Sequence, residues 1–144
     1  MTTPPKPPLT LSLAWDGDLR FTGTSGHASI VLDSQGKAGP SPMQALAFGL
    51  AGCMAIDLVS ILVRGRHPVA ALEVRLTGHR ADGQPARFVA IGLRYIITGD
   101  VPHAAIDRAI ALSREKYCSV WHSMRQDIDL TIAYETRAAA RVEG

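Results

Sequence analysis

Cysteine is scarce in this sequence, with only Cys53 and Cys118 among 144 residues, and they form neither a C-x-x-C pair nor a zinc-ligand pattern. His27, His67, His79, His103 and His122 show no ligand spacing, so no metal site is expected. Positive charge is not concentrated anywhere: a net charge of +2 without a basic stripe or Arg-rich arm argues against nucleic acid as a partner. There is no phosphate-binding glycine loop and no internal repeat. The opening MTTPPKPP lacks the apolar core of a secretion signal, which leaves a cytoplasmic location as the expectation, and there thiols persist as thiols.

What the chain does have is one long apolar run, GPSPMQALAFGLAGCMAIDLVSILVRGR, residues 39–66. It reads as a single buried helix. Ser41 is placed to be the N-cap, Pro42 suits the first helical position, and Gln44 completes an S-x-x-Q capping box. Arg64 and Arg66 complement the negative end of the helix dipole, Gly65 is expected to adopt a left-handed cap, and Pro68 forbids continuation. Only Asp57 and Ser60 interrupt the apolar surface, so the helix must be covered on most sides. Its length would suit a bilayer, but an ionisable residue at its middle is costly there, and a membrane is not expected.

A single domain over residues 1–144 is expected, with a Pro-rich flexible arm at 1–8 and a loose tail at 136–144. Leu9, Leu11, Leu13 and Trp15 alternate with small or polar residues, the period of a half-buried strand. Asp16 and Gly17 supply turn chemistry before Phe21, which makes a hairpin. His27 to Leu32 reads as a third strand. After the helix, Leu72, Val74 and Leu76 alternate with polar residues, and Ile91, Leu93, Tyr95 and Ile97 form one face of a long partner strand. Asp100 is placed to cap a second helix in which Ile106, Ala109, Ile110, Ser113 and Tyr117 share one side. SVWHSMRQ is a short helix or turn, and Ile128, Leu130, Ile132 and Tyr134 form the last strand. The order β-β-β-α-β-β-α-β, with no parallel strand-helix-strand repeat evident, argues α+β with antiparallel sheets.

Cys53, central on an apolar helix, reads from its position alone as a packed thiol with a raised pKa. Cys118 follows a helix and precedes another, where N–H groups favour a thiolate, although plain packing serves equally well. His122, one turn later, is a candidate to orient or deprotonate it. Asp57 cannot activate a thiol by charge, because a neighbouring carboxylate raises a thiol's pKa; an arginine or backbone N–H groups are its expected partners.

The segment GPSPMQALAFGLAGCMAIDLVSIL, followed by REKYCSVWHSM, resembles the osmotically inducible protein C and organic hydroperoxide resistance (OsmC/Ohr) family from about Leu9 to Glu135. The resemblance implies an intertwined homodimer in which sheets wrap long central helices, with active sites at the subunit boundary. It also implies a bacterial, cytoplasmic thiol peroxidase for organic hydroperoxides, with Cys53 peroxidatic, Cys118 resolving, no bound cofactor and an external dithiol as reductant. Peroxidase members of the family carry a Glu after the helix-start proline, paired with an activating Arg. Here Met43 and Gln44 stand in its place, and Arg20, the only arginine before the helix, is the candidate activator. His27 is the next group to consider. The missing carboxylate keeps open the alternative of a binding module, in which an apolar pocket takes a hydrophobic small molecule without efficient peroxidase activity.

Overall fold

The structure is a computed structural model that describes residues 3–140. The outer ends of the expected arm and tail, residues 1–2 and 141–144, lie outside the described residues. Two compact units are present, one running to Leu46 and the other starting at Ala47.

The first unit holds strands β1 (Ser12–Trp15), β2 (Arg20–Ser25) and β3 (Ala28–Asp33) in an antiparallel sheet of order β1-β2-β3. Gly17 and Asp18 take positive φ in the first turn, which confirms the hairpin at Asp16–Gly17. His27 sits in the turn before β3 rather than in the strand. The alternating residues Leu13 and Trp15 are exposed, and Leu9 and Leu11 precede the strand. The half-buried strand expected there is therefore an exposed one.

The loop into the helix is organised by a residue that no pattern in the sequence singles out. Asp33 is 3% exposed, and its carboxylate accepts hydrogen bonds from the N–H groups of Gln35, Lys37 and Ala38 at 2.9, 3.2 and 3.0 Å. These bonds, led by that from Ala38, hold its pKa below the usual carboxylate value.

Helix α1 spans Pro42–Arg64 and starts with the expected capping box: Gln44 N donates to Ser41 Oγ at 3.2 Å, and Ser41 N donates to Gln44 Oε1 at 2.9 Å. Its end differs from expectation. Arg66, not Gly65, takes the left-handed conformation, with φ 60°. Arg66 N donates to Val63 O and His67 N to Leu62 O, both at 3.0 Å, a Schellman closure. Gly65 is suited to its place for a different reason, because a Cβ there would lie 3.0 Å from the His67 ring.

Only one row of α1, Leu50, Met54, Leu58 and Leu62, is fully buried within the chain. Phe48 and Ile56 are 71% and 70% exposed, and Val59 and Val63 are exposed as well. The expectation of a helix covered on most sides is therefore not met by one chain.

The second unit adds β4 (Ala71–Arg80), β5 (Phe88–Thr98), α2 (His103–Leu112), a π-helical turn (Ser113–Tyr117), α3 (Ser119–His122) and β6 (Asp129–Arg137). The sheet order is β4-β5-β6. Its core includes Ile91, Leu93, Tyr95 and Ile97 of β5, the face expected from their alternation, with Ile106 and Ala109 of α2 and Leu130 of β6. The α+β class and element order stand as read, but the antiparallel expectation fails for one pair: β6 runs parallel to β5, with Tyr95 opposite Tyr134. The segment between them, containing α2 and α3, is long enough to return the chain to the same end of the sheet, and strand alternation carries no direction. Strand β6 also takes in Thr136 and Arg137, so the expected tail starts two residues too early. Asp100 does not cap α2, whose N-cap is Pro102 with no side-chain hydrogen bond.

Candidate functional site

Three side chains from distant parts of the sequence converge inside the second unit. Cys53 and Asp57, one turn apart on α1, share a helix face. Cys118 is brought to them by the π-helical turn after α2, in which Cys118 N donates to Ser113 O at 2.8 Å. The additional residue in that turn swings Cys118 into the core at 0% exposure and leaves Tyr117 exposed. The two sulfurs and an Asp57 carboxylate oxygen all lie within 4.8 Å of one another.

Asp57 is half-buried, and Ser113 Oγ donates to its Oδ2 at 2.9 Å. Its partner is thus a buried hydroxyl, not the arginine or backbone N–H groups expected: Ser113 continues the buried side of α2 that Ile106 and Ala109 form. Among the described residues no lysine or arginine forms an ion pair with it. Asp57 also borders a cleft of about 390 Å³ lined by Ser60, Ile61, Arg64, Leu112 and Tyr117.

Cys118 is the N-cap of α3, and Trp121 N donates to its Sγ at 3.3 Å. Of the two readings open for that position, thiolate or packed thiol, the thiolate is not favoured. Burial first, with the Cys53 thiol and the Asp57 charge adding to it, pushes the Cys118 thiol up to about 11, against the single N–H that lowers it. Tyr95, 1% exposed on β5, faces the same charges; burial first, then Cys118, Asp57 and Cys53, raise its phenol. The exposed His122 is engaged elsewhere, with Nε2 donating to Arg114 O at 3.0 Å.

The remaining candidates belong to the first unit. Arg20 is tied into its own hairpin, donating from Nη2 to Asp16 O at 3.0 Å, with Nε 3.5 Å from the Asp16 carboxylate. Met43 and Gln44 form the first turn of α1, and Gln44 Oε1 is occupied by the cap. His27 is exposed beside Gly26. Ser113 and Tyr95 were legible only as residues of an apolar face, and no spacing rule connects either to Cys53. As metal ligands, Cys53 and Cys118 contribute soft sulfurs and Asp57 a hard oxygen, a mixed set that falls one donor short of a closed tetrahedral site. Chemically, two thiols within 4.8 Å of each other beside a carboxylate are equipped for disulfide exchange and for proton transfer at sulfur.

The family described as OsmC-like protein matches residues 34–133. Protein YhfA of Escherichia coli is 42% identical over 128 residues, which cover 87% of this chain and 96% of that protein. A hypothetical protein from Aquifex aeolicus superposes with a TM-score of 0.86 at 25% identity, covering 94% of this chain and 100% of the other. An organic hydroperoxide resistance protein OsmC from Legionella pneumophila superposes with a TM-score of 0.66 at 15% identity, covering 89% and 96%, a likeness of fold alone. The shared fold and the match across the two-cysteine region agree with the resemblance drawn from the sequence, and this chain belongs to the OsmC-like protein family.

Proposed function

We propose that the protein is a thiol-dependent peroxidase that reduces organic hydroperoxides with Cys53 and Cys118. The observation that carries this reading is the approach of the two sulfurs, from α1 and from the end of the π-helical turn, to within 4.8 Å. In the proposed cycle the Cys53 thiolate attacks the terminal peroxide oxygen. The O–O bond breaks, Cys53 becomes a sulfenic acid, and the alkoxide takes a proton to leave as an alcohol. Cys118 then attacks the Cys53 sulfur, forming the disulfide and releasing water. An external dithiol reduces the disulfide by exchange and is itself oxidised. Such a cycle suits a reducing compartment such as the cytoplasm, where a dithiol is at hand.

The raised pKa of Cys118 fits the assignment, since the peroxidatic sulfur must be the readier nucleophile. Arg20 is the proposed cation for Cys53, with Met43, Gln44 and His27 as the accompanying binding residues. Assembly as a homodimer is part of the proposal, because the uncovered apolar face of α1, with Phe48, Ile56, Val59 and Val63, is of the kind an obligate interface buries.

One feature favours a second reading, a binding module for a hydrophobic small molecule. A groove of about 610 Å³ is lined by Ala55, Ile56, Val59, Val69 and Leu72 with Ser60 as its one polar side chain, in keeping with the absence of a carboxylate at positions 43 and 44. The two readings separate in a peroxide-consumption assay with cumene hydroperoxide and dithiothreitol. The peroxidase reading requires turnover by the wild type, none by Cys53→Ser, and a trappable sulfenic acid on Cys53 in Cys118→Ser. Absence of turnover and of sulfenic acid, with cumene hydroperoxide bound intact, would favour the binding module.

A further inference from the structure

Resolution of the sulfenic acid poses a problem of proton transfer that the two cysteines cannot solve alone. Cys118 sits fully buried and must lose its proton to become a nucleophile, while the hydroxyl on oxidised Cys53 must gain one to leave as water. The groups facing this point are few. From α1 come Cys53 and Asp57, from β5 Tyr95, from the π-helical turn Ser113, and around the adjoining cleft Arg64 and Tyr117. Burial and the neighbouring Cys118, Asp57 and Cys53 keep the Tyr95 phenol protonated, so it offers no base for the Cys118 proton, and Arg64 makes no ion pair with Asp57. Asp57 is the remaining acid-base group among the described residues within 4.8 Å of both sulfurs.

We propose that Asp57, held by Ser113, is the proton relay of the resolving step. This inference rests on the peroxidase reading. As the Cys118 sulfur attacks the Cys53 sulfur, the Cys118 proton passes to the Asp57 carboxylate. The S–S bond forms, the S–O bond breaks, and the departing hydroxide takes the proton from Asp57 as water. The carboxylate ends the step as it started, and no outside proton is consumed. The Ser113 hydroxyl, donating to Oδ2, fixes the side chain so that the other carboxylate oxygen is free for the transfer. Ser113 is a positioning residue; it acts through Asp57.

The relay makes an unusual demand on a variant. Replacing Asp57 by Asn removes a negative charge beside Cys53, which favours the thiolate, so formation of the sulfenic acid should not slow. Disulfide closure should slow. A merely structural role would impair both steps.

The test uses the full-length reduced protein and cumene hydroperoxide, with rapid quenching into a sulfenic acid trap and into an alkylating agent, followed by mass spectrometry. For Asp57→Asn the expected result is sulfenic acid formation at least as fast as in wild type and disulfide closure slowed at least tenfold at pH 7. Closure in the variant should quicken steeply as pH rises, whereas wild-type closure stays nearly flat between pH 6 and 8. Asp57→Glu should restore much of the closure rate, and Ser113→Ala should slow closure to a smaller degree. Closure at the wild-type rate and pH profile in both Asp57→Asn and Ser113→Ala would overturn the relay while leaving the peroxidase reading intact. Neither sulfenic acid nor disulfide in the wild type, with no sulfenic acid in Cys118→Ser, would remove the peroxidase reading and the relay together.

Discussion

Two ionisable side chains have their protons set in opposite directions by the same two forces, burial and hydrogen bonding. For Asp33 three backbone N–H groups outweigh desolvation and lower the pKa. Its unfolded value is 3.8, so its contribution to stability is complete above that pH and is lost as pH falls through the lower folded value. Asp33→Asn should therefore be less stable than wild type near neutrality, and the difference should shrink in acid unfolding curves below pH 3.8. For Cys118 one N–H from Trp121 is outweighed by burial, and the thiol reaches about 11 against a reference of 9.0. The protonated form is favoured in the fold, so stability falls as pH rises from 9.0 toward about 11. Alkylation of Cys118 in the native, reduced protein should accordingly stay slow at pH 9, where an unperturbed thiol is half ionised. Neither shift was legible in the sequence. Asp33 reads as one more loop residue, and Cys118 reads equally well as a helix N-cap whose N–H groups favour the anion or as a packed thiol, because sequence spacing records the cap but not the depth.

At the scale of elements, local chemistry was readable where it involves near neighbours and unreadable where it depends on distant ones. The capping box of α1 involves only Ser41 and Gln44, and it formed as expected. Ser41→Ala should destabilise the fold by about 1 kcal/mol in denaturant titration, since one helix N–H loses its acceptor. The Arg66 left-handed closure departs from the expected pattern locally, one residue along, through the bonds from Arg66 N to Val63 O and from His67 N to Leu62 O. In the π-helical turn and the parallel β5-β6 pairing, contacts between distant residues go with a backbone that the local sequence merely permits. The π-helical turn has the largest consequence, since a regular α-helix through Tyr117 would carry Ser113 and Tyr117 on one side and leave Cys118 on another. One residue of extra winding after Ser113 instead buries Cys118 beside the Ser113–Asp57 pair and leaves Tyr117 exposed. Along α1, Leu58→Ala should cost about 2–5 kcal/mol, the usual range for emptying a buried leucine site, whereas truncating exposed Ile56 should cost the isolated chain far less.

For the molecule as a whole, that contrast between the two faces of α1 bears on assembly. The sequence marks the helix as too apolar to be left wet, yet one chain buries only a single row of it. If a second copy covers the rest, as proposed, sedimentation should show a dimer persisting at micromolar concentration, with more than about 2,000 Å² buried in total. A stable folded monomer would oppose that part of the account. The family and α+β class were legible because the sequence around both cysteines and the element order are local features. The proximity of Cys53 and Cys118 was available from the sequence only through the family resemblance, and the Asp57–Ser113 contact was not available from it at all. The central claim is that these two thiols form a redox pair, and peptide mass mapping under non-reducing conditions tests it most directly. After brief exposure of the reduced protein to stoichiometric cumene hydroperoxide, the account predicts an intrachain Cys53–Cys118 disulfide that dithiothreitol reverses. Both thiols remaining free and alkylatable, under conditions that oxidise a control thiol peroxidase, would contradict it.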